Sequence, residues 1–139
     1  MSVRIDTVYE GDLHCRTTHV PSRASFETDA PVDNQGRGES YSPTDLVATA
    51  LGTCMLTTMG IVAKRHGWKI DGATASVEKH MVADPDRRVG KLVSTLHMPA
   101  GFGEKERTIL ERTAHTCPVK KSLHPSVETP VIFHWGESR

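Results

Sequence analysis

The sequence predicts a single α+β domain spanning residues 1–139. Three observations carry this. The length is that of one common domain with one modest core. Short alternating runs at both ends flank long helical stretches. Strands and helices do not alternate one for one, as a doubly wound parallel sheet would require. The expected order is βββ-α-ββ-α(α)-β.

Each element has its own local reason. Residues 3–9 (VRIDTVY), 13–20 (LHCRTTHV) and 23–29 (RASFETD) are short and rich in branched or alternating side chains, and turn signals EGD and PS separate them, which predicts an antiparallel meander. APVDNQGRGESYS (30–42) has two glycines, a proline and no apolar period, and reads as an exposed loop. Ser42 is then a good N-cap, Pro43 suits the first helical position, and Asp45 completes an aspartate form of the capping box. From Leu46 to Val62 the apolar residues keep helical spacing. Lys64, Arg65 and His66 suit the C-terminal dipole and Gly67 can stop the helix, giving a span of about 43–66.

ATASVEKHMV (73–82) and KLVSTLHMPA (91–100) alternate around DPDRRVG and predict a hairpin. GEKERTILERTAHT (103–116) predicts a second helix with Ile109 and Leu110 inward, ended by Cys117 and Pro118, after which PVKKSLH starts another turn. VETPVIFHW closes the chain as a strand. The first helix is nearly free of charge between Leu46 and Ala63, more apolar than one face of a small domain requires, which points to burial on most sides, including by a partner subunit.

Composition excludes several function classes. The 17 basic and 17 acidic side chains cancel, and no basic stretch is interleaved with aromatics, so nucleic acid is not an expected partner. No window reads as a membrane span and the start lacks the pattern of a secretory signal, so a cytoplasmic protein with no membrane partner is expected. Three cysteines are too few for a disulfide scaffold and point to redox chemistry, metal binding or packing.

Cys54 lies about three turns inside the first helix, beyond reach of the dipole, and taken alone reads as a small buried hydrophobe. Cys117, before Pro118 and with Lys120 and Lys121 close behind, reads locally as the more reactive thiol. Cys15 sits mid-strand, where alternation can turn it to the core. His14, Cys15, His19, His115, Cys117 and His124 show neither Cys-x-x-Cys nor His-x-x-x-His spacing, so zinc has weak support and no metal or cofactor is expected.

SPTDLVATALGTCM, followed 63 residues after Cys54 by CPVKKSL at Cys117, resembles the paired cysteine motifs of the OsmC/Ohr proteins, osmotically induced protein C and organic hydroperoxide resistance protein. The YEGD start, three strands, loop, proline-initiated helix, hairpin and helix ending in Cys-Pro also follow that family's order. The resemblance implies an intertwined homodimer with the two long helices at its centre. It further implies thiol-dependent reduction of organic hydroperoxides, with Cys54 as the attacking thiol, Cys117 as its resolving partner, and a dithiol reductant, for example of lipoyl type.

In the family an arginine held by a glutamate keeps the attacking thiol ionised. Here the glutamate position holds Thr44, with an acid, Asp45, one place later. Arg37 in the loop is the preferred arginine and Arg16 in the second strand the alternative. Two other readings stay open from sequence: an OsmC-like module that binds a small molecule or thiol with little peroxidase activity, and a structural zinc protein using Cys117 with nearby histidines.

Overall fold

The structure, a computed structural model, describes residues 1–136. Its elements run β1 (Ile5–Gly11), β2 (His14–His19), β3 (Ser25–Asp29), α1 (Pro43–His66), β4 (Thr74–Val82), β5 (Arg88–Met98), α2 (Glu104–Ala114), α3 (Pro118–Ser122) and β6 (Val131–Trp135), with one 3-10 turn at Val32–Asn34. This is the predicted α+β order, and the long helix has the predicted ends. The chain forms two compact units, Met1–Val47 and the part from Ala48 onward.

The first unit is built on the antiparallel sheet β1-β2-β3. Register places Thr7 opposite Thr17, Tyr9 opposite Cys15, Thr17 opposite Phe26 and Cys15 opposite Thr28, so these side chains share one face. His14 opposite Asp29 and Arg16 opposite Glu27 lie on the other. The first face is apolar yet open: Ile5, Tyr9 and Phe26 are exposed, while Thr17 and Thr28 beneath them are buried. Cys15 lies on this face and is half-buried, outside the core to which alternation was expected to turn it. Between Tyr9 and Gly11 the register slips, leaving Glu10 as a bulged residue.

The second unit holds the core. Leu51, Met55 and Met59 of α1, Leu92, Leu96 and Met98 of β5, Leu110 and Ala114 of α2, and Cys117 are all sealed from solvent. Each fully buried leucine or methionine contributes about 1.5–3 kcal/mol relative to exposure. The buried side chains of α1 recur at Ala48, Leu51, Gly52, Met55, Met59 and Ala63, one stripe of the helix. Gly52 belongs to it because a Cβ there would come within 3.0 Å of the Val77 side chain on β4.

The sheet of this unit runs β4-β5-β6, with β4 antiparallel and β6 parallel to β5. The parallel return is made possible by the α2–α3 crossover. The indole N–H of Trp135 donates to Glu111 at 2.8 Å and the Arg107 guanidinium lies 5.4 Å from the Trp135 ring centre, which ties α2 to β6.

One expectation is corrected. α1 is 24 residues long and contains an 18-residue window of mean hydropathy 1.8, so by length and composition it could cross a membrane. Threonines and glycines break up the visible apolar run and hid this in the sequence. One third of that window is buried within the chain, and its other faces present apolar residues and threonine, with Ile61 half exposed.

Candidate functional site

Cys54 occupies the middle of α1 and is partly accessible. The Thr58 hydroxyl, one turn on, donates to the Cys54 carbonyl at 2.7 Å and sits 3.9 Å from the sulfur. Cys117 is fully buried at the N-cap of α3, in extended conformation before Pro118, and its Sγ accepts from the Lys120 backbone N–H at 3.4 Å. Both cysteines are free thiols.

The two side chains meet across a chain separation of more than sixty residues (117 − 54). Burial pushes the Cys117 thiol above its ordinary range. The backbone N–H groups of Lys120 and Val119 oppose this, while the hydrogen bond to Cys54 and the charge there push it further up. Of the pair, Cys117 is sealed from solvent and Cys54 is the one that solvent can reach.

That corrects the local reading of Cys117 as the more reactive thiol. The Lys120 ammonium does not turn to the sulfur; it donates to His115 Nδ1 at 3.0 Å, and only the Lys120 backbone serves Cys117. Burial, together with that lysine, lowers the His115 pKa and favours a neutral ring. Among the described residues, the grouping of metal-type ligands consists of Glu10, His14 and Glu27 and contains no cysteine.

The candidate arginines are both engaged within the first unit. Arg37 reaches Asp12 at 3.7 Å, Glu39 at 3.5 Å and Asp29 at 3.8 Å, and its side chain is half exposed. Arg16 pairs with Glu27 at 3.1 Å and Glu10 at 3.4 Å. Asp45 does what its place in the capping box predicts: its carboxylate accepts from the Ser42 N–H at 2.9 Å, and its own N–H donates to Ser42 Oγ at 3.1 Å.

The sequence did not reveal a constellation around His14. Its Nδ1 lies 2.6 Å from Asp29 and its Nε2 lies 2.9 Å from Glu27 and 3.5 Å from Glu10. The hydrogen bond to Asp29, then that to Glu27, raises the His14 pKa. Bonding to His14 in turn holds both carboxyls below their usual range. The signal was available as His-x-Arg on β2 facing Glu-x-Asp on β3, but only register shows that these residues are opposite one another.

Comparison with known proteins gives one consistent result. The sequence profile of the OsmC family, described as OsmC-like protein, matches residues 36–131. A structure from Psychrobacter arcticus, provisionally described as an osmotic stress induced and detoxification response protein, is 46% identical over 94% of each chain with a TM-score of 0.89. Two more distant structures share the fold. An organic hydroperoxide resistance protein OsmC from Legionella pneumophila has 18% identity, 96% and 97% coverage and a TM-score of 0.74. An OsmC-like protein from Mycoplasma pneumoniae has 14% identity, 99% coverage of both chains and a TM-score of 0.81. No curated protein matches the sequence significantly.

Proposed function

For this chain, which belongs to the OsmC-like family, we propose the function of a cysteine-based peroxidase that reduces organic hydroperoxides with electrons from a dithiol. The family includes organic hydroperoxide resistance proteins. The observation that carries the reading is the asymmetric thiol pair: an accessible Cys54 beside a buried Cys117.

The Cys54 thiolate attacks the distal oxygen of ROOH. The O–O bond breaks, the alcohol leaves with a proton, and Cys54 becomes a sulfenic acid. Cys117 then attacks that sulfur, forming the Cys54–Cys117 disulfide and releasing water. A dithiol of lipoyl type reduces the disulfide by two exchange steps and leaves as its own cyclic disulfide. The proton that Cys117 retains until this stage keeps it from competing for peroxide.

The family resemblance makes Arg37, or alternatively Arg16, the candidate source of the positive charge that this chemistry needs, with Asp45 as its candidate acidic partner; in the chain both arginines pair with carboxylates of the first unit. The working protein is a cytoplasmic homodimer; the dimer is supported by the exposed Ile5, Tyr9 and Phe26 on the β1-β2-β3 sheet and Ile61 on α1. No metal or cofactor takes part in this reaction.

The test is steady-state consumption of cumene hydroperoxide with dihydrolipoamide. Wild type should turn over repeatedly, Cys54→Ser should fall to the rate without protein, and Cys117→Ser should stop after one equivalent. Turnover unchanged in Cys54→Ser would overturn the assignment.

A further inference from the structure

We propose that Glu10, His14 and Glu27, on the polar face of the β1-β2-β3 sheet, form a binding site for a divalent first-row transition-metal ion, with Asp29 holding His14 from behind. The ligand atoms of the three residues all lie within 4.8 Å of one another. The His14 Nε2 to carboxylate distances are 2.9 Å and 3.5 Å. Tetrahedral zinc with bonds of about 2.0–2.2 Å sets its ligand atoms about 3.4 Å apart, between these two values.

The orientation of the imidazole favours the same use. Asp29, its side chain only 3% exposed, takes Nδ1 at 2.6 Å and so aims Nε2 outward at the two glutamates. A carboxylate on the far nitrogen of a ligating histidine is the usual outer shell of a metal site, fixing the tautomer and the ring plane. The third ligand follows from the strand register: Val8 opposite Arg16 and Tyr9 opposite Cys15 bring Glu10 next to His14 on the same face, and the slip between Tyr9 and Gly11 leaves Glu10 bulged there.

The cation that competes with a metal ion for the two glutamates is Arg16, at 3.4 Å from Glu10 and 3.1 Å from Glu27, while Arg37 serves Asp29 at 3.8 Å. Arg16 is half exposed and can swing away from the glutamate oxygens it now shares. Two carboxylates and one imidazole suit zinc, manganese or iron(II) better than a thiolate-loving ion, and three protein ligands leave a position for water.

The experiment uses the reduced full-length protein. Zn²⁺ affinity is measured by competition with a chromophoric chelator, and the ligand set is read from the visible spectrum of Co²⁺. One ion per chain should bind, with a Co²⁺ spectrum that lacks thiolate charge transfer. His14→Gln and Glu27→Gln should abolish the site, Asp29→Asn should weaken it by about 10–100-fold, and Arg16→Gln should tighten it severalfold. Circular dichroism confirms folding of each variant, and the Arg16→Gln arm does not depend on a destabilised protein. No binding by wild type, affinity unchanged in His14→Gln, or a thiolate band in the Co²⁺ spectrum would each overturn the proposal.

Discussion

The chemistry at the residue scale lies in one inequality between two sulfurs. Cys117 is buried, and burial raises its pKa against the opposing backbone N–H groups of Lys120 and Val119. The sign of the consequence is definite. A thiol whose folded pKa exceeds its unfolded value contributes stability that is present below the ordinary thiol range, about pH 8.5, and is lost as pH rises through the folded value. Wild-type protein should therefore lose stability on alkaline titration more steeply than Cys117→Ala, as followed by thermal melts from pH 7 to 10. Parallel slopes would show that the Cys117 proton is not held by the fold. The three cysteines were visible in the sequence, but their ranking was not. Local pattern made Cys117 the reactive thiol, because Lys120 and Lys121 are adjacent in the chain, whereas in space the Lys120 ammonium belongs to His115.

At the element scale, α1 was almost fully legible. Ser42, Pro43 and Asp45 define one end, and Lys64, Arg65, His66 and Gly67 the other, because capping and dipole effects act between near neighbours in the chain. The direction of β6 was not legible, since a parallel pairing depends on the crossover before it and not on the strand's own residues. Asp45 sits where the two kinds of information compete: its capping bonds are seen, and its catalytic part is proposed. Asp45→Asn separates them. The amide oxygen can still accept from Ser42, so stability should change by less than about 1 kcal/mol. If Asp45 holds the activating arginine, loss of its charge releases that cation and should slow iodoacetamide alkylation of Cys54 severalfold. An unchanged alkylation rate would leave Asp45 as a cap alone.

At the scale of the whole molecule, the family fold was readable because two cysteine motifs stand in register along the chain, and the profile match over residues 36–131 bears this out. The cluster around His14 was unreadable because it is assembled by the register of three strands, which leaves no periodic trace. The uncovered apolar surface has its own consequence. Ile5, Tyr9 and Phe26 on one sheet and Ile61 on α1 are each about half exposed, an arrangement that a second copy of the chain would cover. Light scattering coupled to size exclusion should give twice the 15.3 kDa chain mass at micromolar concentration, and Ile61→Glu should reduce it. A monomer mass for wild type would contradict the homodimer. The account turns, finally, on whether Cys54 and Cys117 act as one redox pair. Treatment with one equivalent of cumene hydroperoxide, followed by intact and peptide mass spectrometry, decides this. The account predicts a mass lower by two hydrogens, a Cys54–Cys117 cross-linked peptide, and sulfenic acid at Cys54 in Cys117→Ser. Recovery of both cysteines as unmodified thiols, or oxidation confined to Cys15 or Cys117, would contradict it.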